Sequence, residues 1–204
     1  MGAGTSGRLG ILDASEIPPT FGVSPELVQG IIAGGAKAVF QAQEGAEDSQ
    51  TAGATAIRER GIKSGDVVVG IATSGRTPFV IGALKEATKL KAKTVILTCN
   101  PDWESSEVKP TIEVHIPTGP EIISGSTRLK GGTVTKLVLN MFSSIAMIQS
   151  GKVHNNLMIN VTATNEKLRA RCVRLVRELS GVSCEKALAS LQKHDWHVLK
   201  AIKG

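Results

Sequence analysis

Residues 66–90 read DVVVGIATSGRTPFVIGALKEATKL, and this stretch sets the fold class. Asp66 to Ala72 is an apolar, β-branched run, the pattern of a strand buried on both faces. Thr73-Ser74-Gly75-Arg76-Thr77 interrupts it with hydroxyls and a glycine, and Pro78 suits the first turn of a helix, where its missing N–H costs nothing. Pro78 to Leu90 then carries apolar residues at helical spacing. A buried strand, a short hydroxyl-bearing turn and a helix make up half of a βαβ unit.

The same grammar recurs on either side. Leu27 to Ala33 and Lys93 to Cys99 read as further buried parallel strands, Ile112 to Ile116 as a shorter one, and Thr51 to Arg60 as a helix. That order predicts an α/β fold with a doubly wound parallel sheet. The chain opens directly in the glycine-rich turn Gly2 to Gly7, so a strand feeding that turn is expected upstream of Met1. A long, mostly apolar helix is predicted from Ser126 to Ser150, with Gly151 as its stop signal, and is expected to be largely buried. Beyond the Asn-rich stretch 154–160, residues 165–204 read as three short helices split near Gly181 and His194, with Ser183 and Asp195 as N-cap candidates. Two domains follow: residues 1–163 carry the sheet, and residues 164–204 form a small helical bundle, similar in pattern to a ubiquitin-associated domain. Its expected role is to cover the sheet or an interface rather than to bind ubiquitin.

Composition narrows the function. With 204 residues, 22 Gly, 8 Pro, no Tyr and 3% aromatics, the chain suits an α/β protein with many tight turns better than an aromatic-stacking nucleic-acid binder. The net charge of +6 lies wholly in the tail, because residues 1–150 hold 14 basic and 14 acidic side chains whereas residues 151–204 hold 10 and 4. Those tail charges alternate with Leu and Val at helical spacing, which reads as a solvated helix face and not as a nucleic-acid patch. Cys99, Cys172 and Cys184 have neither metal-ligand spacing nor a disulfide framework, and a reducing cytoplasmic setting is the simplest reading. No signal peptide or membrane span is expected, since the longest apolar stretch is broken by Asn140, Ser143 and Ser144.

The turns carry the chemistry. Gly2-Ala3-Gly4-Thr5-Ser6-Gly7-Arg8 lacks a convincing ribose-binding acid at the end of a second strand, so as a dinucleotide fingerprint it is weak. Thr5 and Ser6, however, fall at a helix N-terminus, where backbone N–H groups already favour an anion. The turn with Ser74, Arg76 and Thr77 is of the same kind, and parallel strands place both on one sheet edge. Residues 119–132, GPEIISGSTRLKGG, add Ser124, Ser126 and Thr127 as donors and Arg128 and Lys130 as fixed cations. Taken together the three turns predict a phosphate site without a metal. Any one of them alone reads as ordinary helix capping.

Five segments carry a resemblance: GAGTSGRLGILDASEIPPTFG (2–22), EGAEDS (44–49), GIATSGRTPFVIGAL (70–84), GPEIISGSTRLKGGT (119–133) and KLVLNMFSSIAMIQSGKVHNNLMINVTATNEKL (136–168). In this order they resemble the N-acetylmuramic acid 6-phosphate etherase family over essentially the whole chain. The fourth resembles the signature that family shares with the vertebrate glucokinase regulatory protein. The resemblance implies a SIS-type sugar isomerase fold and a cytoplasmic, homodimeric lyase of cell-wall sugar recycling that uses no cofactor. Its activity would be to cleave the lactyl ether of N-acetylmuramic acid 6-phosphate. It also implies Glu16 of DASE and Glu47 of EGAED as the catalytic acid-base pair, with Glu44 ranked below Glu47 by the motif match. The substrate-binding set is Thr5, Ser6, Ser74, Arg76, Thr77, Ser124, Ser126, Thr127 and Lys130. His154, His115, His194 and His197 form no nucleophile or metal constellation in the sequence. The rival expectation is a non-catalytic sugar-phosphate sensor resembling the glucokinase regulatory protein.

Overall fold

The computed structural model describes residues 1–161, 163 and 165–203. Its sheet has three parallel strands, β1 (Val67–Ile71), β2 (Lys93–Thr98) and β3 (Ile112–His115), in the spatial order β1-β2-β3. Val67 lies beside Lys93, and Val95 beside Ile112. Because side chains alternate across a strand, Val68 and Ile96 enter one apolar cluster while Ile71 and Leu97 enter another. The first cluster is closed by Ile57 of α3 (Gln50–Glu59) and by Val80 and Leu84 of α4 (Pro78–Lys89). The second is closed by Leu9 of α1 (Gly4–Phe21) and by Val138 and Leu139 of α5 (Lys130–Gln149). Helices therefore cover both faces of the sheet.

Helices α3 and α4 approach each other through glycine. A side-chain carbon on Gly53 would stand 1.9 Å from the Phe79 carbonyl oxygen, and one on Gly82 would stand 2.1 Å from that of Gln50. Ser49 caps α3 by accepting the Ala52 N–H at 3.0 Å, and the helix begins at Gln50, one residue before the predicted start. Two short elements were absent from the sequence reading: α2 (Lys37–Phe40) and a single 3₁₀ turn (Ala46–Asp48).

The predicted strand from Leu27 to Ala33 does not form. Leu27 is 59% exposed, and Gly30 lies so close to α1 that a side-chain carbon there would stand 2.5 Å from the Ile11 α-carbon. Only Ile32 pairs, through an isolated parallel bridge to Gly2, which on its other side bridges Ile71. Of its apolar residues, Ile32 packs on Gly7 of α1, while Ile31 and Ala33 join the first apolar cluster without extending a strand.

By contact density the chain divides into two compact units, Met1–Asp13 with Gln29–Asn140, and Ala14–Val28 with Met141–Gly204. In the second, α6 (Glu166–Ser180), α7 (Cys184–Lys193) and α8 (Val198–Lys203) bury Cys172, Val176, Leu191 and Val198 together with Ile159. Asn165 caps α6 and Ser183 caps α7, while Gly181 ends α6 at φ 69°. Asp195, the expected cap of the last helix, does not serve: it sits at φ 50° and α8 begins three residues later, at Val198. Arg169 stacks over the Trp196 ring at 5.2 Å, and the Asn160 side-chain amide donates to the Phe21 carbonyl. Thr164, at which the predicted bundle opens, lies outside the described residues.

Helix α5 departs from expectation at both levels. It begins at Lys130 instead of Ser126, and it is not largely buried: Leu137, Met141, Phe142, Ile145 and Ile148 are 37–57% exposed. Among the described residues it is the one helix long and apolar enough to cross a membrane.

Candidate functional site

Glycine brings the three hydroxyl-bearing turns together at the end of the sheet where β1 and β2 finish. A side-chain carbon on Gly131 would stand 2.9 Å from the Thr73 methyl, and one on Gly132 would stand 3.4 Å from the Thr5 methyl. The first turn of α5 therefore meets both the turn after β1 and the first turn of α1. Thr5 and Ser6 lie in that first turn of α1, where the helix presents unpaired N–H groups. Lys130 opens α5.

The turn after β1 is pinned from several sides. The Thr73 carbonyl accepts the Cys99 N–H and the Thr98 hydroxyl, each at 3.0 Å. Gly75 adopts φ 75°, and its carbonyl accepts the indole N–H of buried Trp103 at 2.7 Å. Ser74 Oγ accepts the Arg76 N–H at 3.3 Å, a local turn bond that leaves its hydroxyl proton to donate. Thr77 occupies the N-cap position of α4 without a side-chain capping bond, so helix capping does not account for its hydroxyl.

Glu121 organises the third turn. Its carboxylate accepts the Gly131 and Lys130 N–H groups, each at 2.9 Å, and these two bonds hold it below the ordinary carboxylate value. This clamp fixes where α5 begins. Between Glu121 and α5 the chain carries Ser124, Ser126, Thr127 and Arg128, with Ser126 half-buried and the other three exposed. Burial pushes the nearby Cys99 thiol up, away from the thiolate form.

Of the two predicted catalytic acids, Glu47 sits in the 3₁₀ turn and lines a small cleft of about 170 Å³ with Gly4, Arg8, Gln43 and Glu44. The cleft thus opens at the first turn of α1. Glu44 shares it with Glu47, so this geometry does not rank one above the other. Glu16 is an exposed residue of α1, in the second compact unit, whereas Glu47 belongs to the first. The prolines beside Glu16 do not make it a loop acid, because α1 runs on through Pro18 and Pro19. Among the histidines, His154 is exposed and its backbone pairs with that of Leu157, and His115 contacts Glu113 at 3.2 Å. No cluster of three or more His, Cys, Asp or Glu able to hold a metal exists among the described residues.

Arg8, Trp103 and the clamping role of Glu121 escaped the sequence reading. Arg8 stood in the quoted turn. The Glu121 clamp had no signal, since nine residues separate the carboxylate from Lys130, far beyond the spacing of a capping box.

The model of the glucokinase regulatory protein N-terminal SIS domain matches residues 1–88. The chain is 52% identical to the N-acetylmuramic acid 6-phosphate etherase of Clostridium beijerinckii, 55% identical to that of Vibrio atlanticus and 54% identical to that of Symbiobacterium thermophilum, in each case over 99% of its own residues. It spans 66%, 66% and 67% of these relatives' lengths, about two thirds.

Proposed function

The chain belongs to the N-acetylmuramic acid 6-phosphate etherase family, and on that premise we propose that it is a carbon–oxygen lyase acting on N-acetylmuramic acid 6-phosphate. The products are N-acetylglucosamine 6-phosphate and D-lactate. One observation carries the reading: the turns of Thr5, Thr73 and Gly131–Gly132 meet at one sheet edge, and Glu47 lines a cleft at the first turn of α1.

Gly2 lies between Ile32 and Ile71, so the chain crosses first to one side of it and then to the other. This supports a doubly wound, SIS-type fold, in which ligands bind where the strand order reverses. In the proposed site Thr5, Ser6, Ser74, Thr77, Ser124, Ser126 and Thr127 donate to the phosphate or sugar hydroxyls, and Arg76 and Lys130 balance the charge of the phosphate. In the open-chain sugar the aldehyde acidifies the proton on carbon 2. One carboxylate of the Glu16 and Glu47 pair removes that proton; the other, as a carboxylic acid, protonates the ether oxygen on carbon 3 as the C3–O bond breaks. Lactate leaves an unsaturated aldehyde, and water adds at carbon 3 with the two carboxyl groups exchanging roles. The proposed division is a sugar-phosphate domain through residue 163, followed by a helical bundle of ubiquitin-associated pattern that binds no ubiquitin. The exposed apolar residues of α5 fit the proposed homodimer, which sedimentation at micromolar concentration tests. Cytoplasmic cell-wall recycling is the proposed setting.

The test is release of D-lactate from N-acetylmuramic acid 6-phosphate, with an excess of chelator present throughout. A second reading, a non-catalytic sugar-phosphate sensor, draws on the regulatory-protein match over residues 1–88. Binding of the sugar phosphate without any lactate release selects it.

A further inference from the structure

We infer that Arg8 is the residue that reads the lactyl carboxylate and so separates the muramic substrate from sugar phosphates without that arm. The inference rests on the functional reading above and adds to it a specificity determinant.

The substrate carries two anionic groups at different places, a phosphate on carbon 6 and a carboxylate on the lactyl arm at carbon 3. The hydroxyl-bearing turns answer the first. The second must lie beside the ether that breaks, hence beside a catalytic carboxylate, where like charge repels it. A cation is needed there. Among the described residues lining the cleft with Glu47 and Glu44, Arg8 is the single cation. Its Nε donates to the Val39 carbonyl at 2.8 Å, which fixes the plane of the guanidinium and leaves the two terminal NH₂ groups as donors. Among the described residues no carboxylate forms an ion pair with it. A fixed, half-buried guanidinium suits a carboxylate, because its fork can donate two parallel hydrogen bonds at once.

The experiment measures dissociation constants for N-acetylmuramic acid 6-phosphate and N-acetylglucosamine 6-phosphate by calorimetry. Both arms use the chain carrying Glu47→Gln, so that the ligand is not consumed. Adding Arg8→Gln is expected to weaken the muramic ligand by about tenfold to a hundredfold, the range for losing hydrogen bonds to a charged group. The glucosamine ligand should change by less than about threefold. Arg8→Lys keeps the charge without the fork and should recover only part of the loss; it also serves if Arg8→Gln, which drops the bond to Val39, melts too low to assay. Equal weakening of both ligands, or of neither, overturns the proposal. Lactate release by the unaltered chain reports separately on the functional reading. A chain that releases none yet discriminates the two sugars through Arg8 sinks that reading and keeps this one, and a chain that binds neither sugar overturns both.

Discussion

Substituting Gly75 by alanine tests the idea that Trp103 locks the conformation of the turn after β1. The new methyl would stand 1.9 Å from Trp103 Cδ1, far inside contact distance, and the residue would be held at φ 75°. A left-handed conformation costs an L-residue about 1–2 kcal/mol. Forcing a carbon into a filled site costs about 1–3 kcal/mol. Trp103 is only 5% exposed, so its ring has little room to retreat; if it does, the bond from its indole N–H to the Gly75 carbonyl goes as well, for about 0.5–1.5 kcal/mol more. Gly75→Ala should therefore lose about 3–6 kcal/mol, a large share of a typical domain's 5–15 kcal/mol. Urea melts followed by circular dichroism measure the loss. Trp103→Phe is the milder companion, which keeps most of the ring and removes the donor, and should cost about 1–3 kcal/mol for the unsatisfied carbonyl. A Gly75→Ala protein within about 0.5 kcal/mol of the parent, in the ordinary range for surface substitutions, would refute the locked turn.

Glu47→Gln and Glu16→Gln should each slow lactate release by about a hundredfold to ten-thousandfold while substrate still binds, since an amide keeps the shape and cannot cycle a proton; losses of only twofold or threefold in both would mean the catalytic carboxyls lie elsewhere, with Glu44 next to test. Ser74→Ala and Ser126→Ala should each weaken sugar-phosphate binding by about 1–3 kcal/mol, and unchanged dissociation constants in both return those hydroxyls to ordinary turn chemistry. Glu121→Gln should remove a pH-dependent contribution to stability. The folded carboxyl is held below its ordinary value, so the contribution is present above the unfolded pKa and fades as pH falls through the lower, folded one. Melting temperatures of parent and variant should thus differ near neutrality and converge in acid, and a difference that stays constant across that range contradicts the clamp.

How far the sequence reached depends on the kind of interaction. Strands β1, β2 and β3, helices α3 and α4, the Gly181 stop and the Ser183 cap were legible because each rests on periodicity or on a residue within a few positions. The predicted strand at 27–33 failed because an apolar run says that residues will be buried without saying against what: here Gly30 packs on the Ile11 backbone and Leu27 faces solvent. The apolar length of α5 misled in the same way, since hydrophobicity fixes that a helix needs a partner and not that this chain supplies one. The candidate site divides likewise. Its hydroxyl-rich turns could be read off one by one, because strand-to-helix turns announce themselves in glycine, serine and threonine. That Thr5, Thr73 and Gly131 meet, that Glu121 reaches forward to hold the start of α5, that Trp103 seals Gly75 and that Arg8 shares a cleft with Glu47 were decided only by the tertiary structure. Each joins residues on different elements, and such contacts are selected by the packing of the whole sheet rather than by any local preference of the chain.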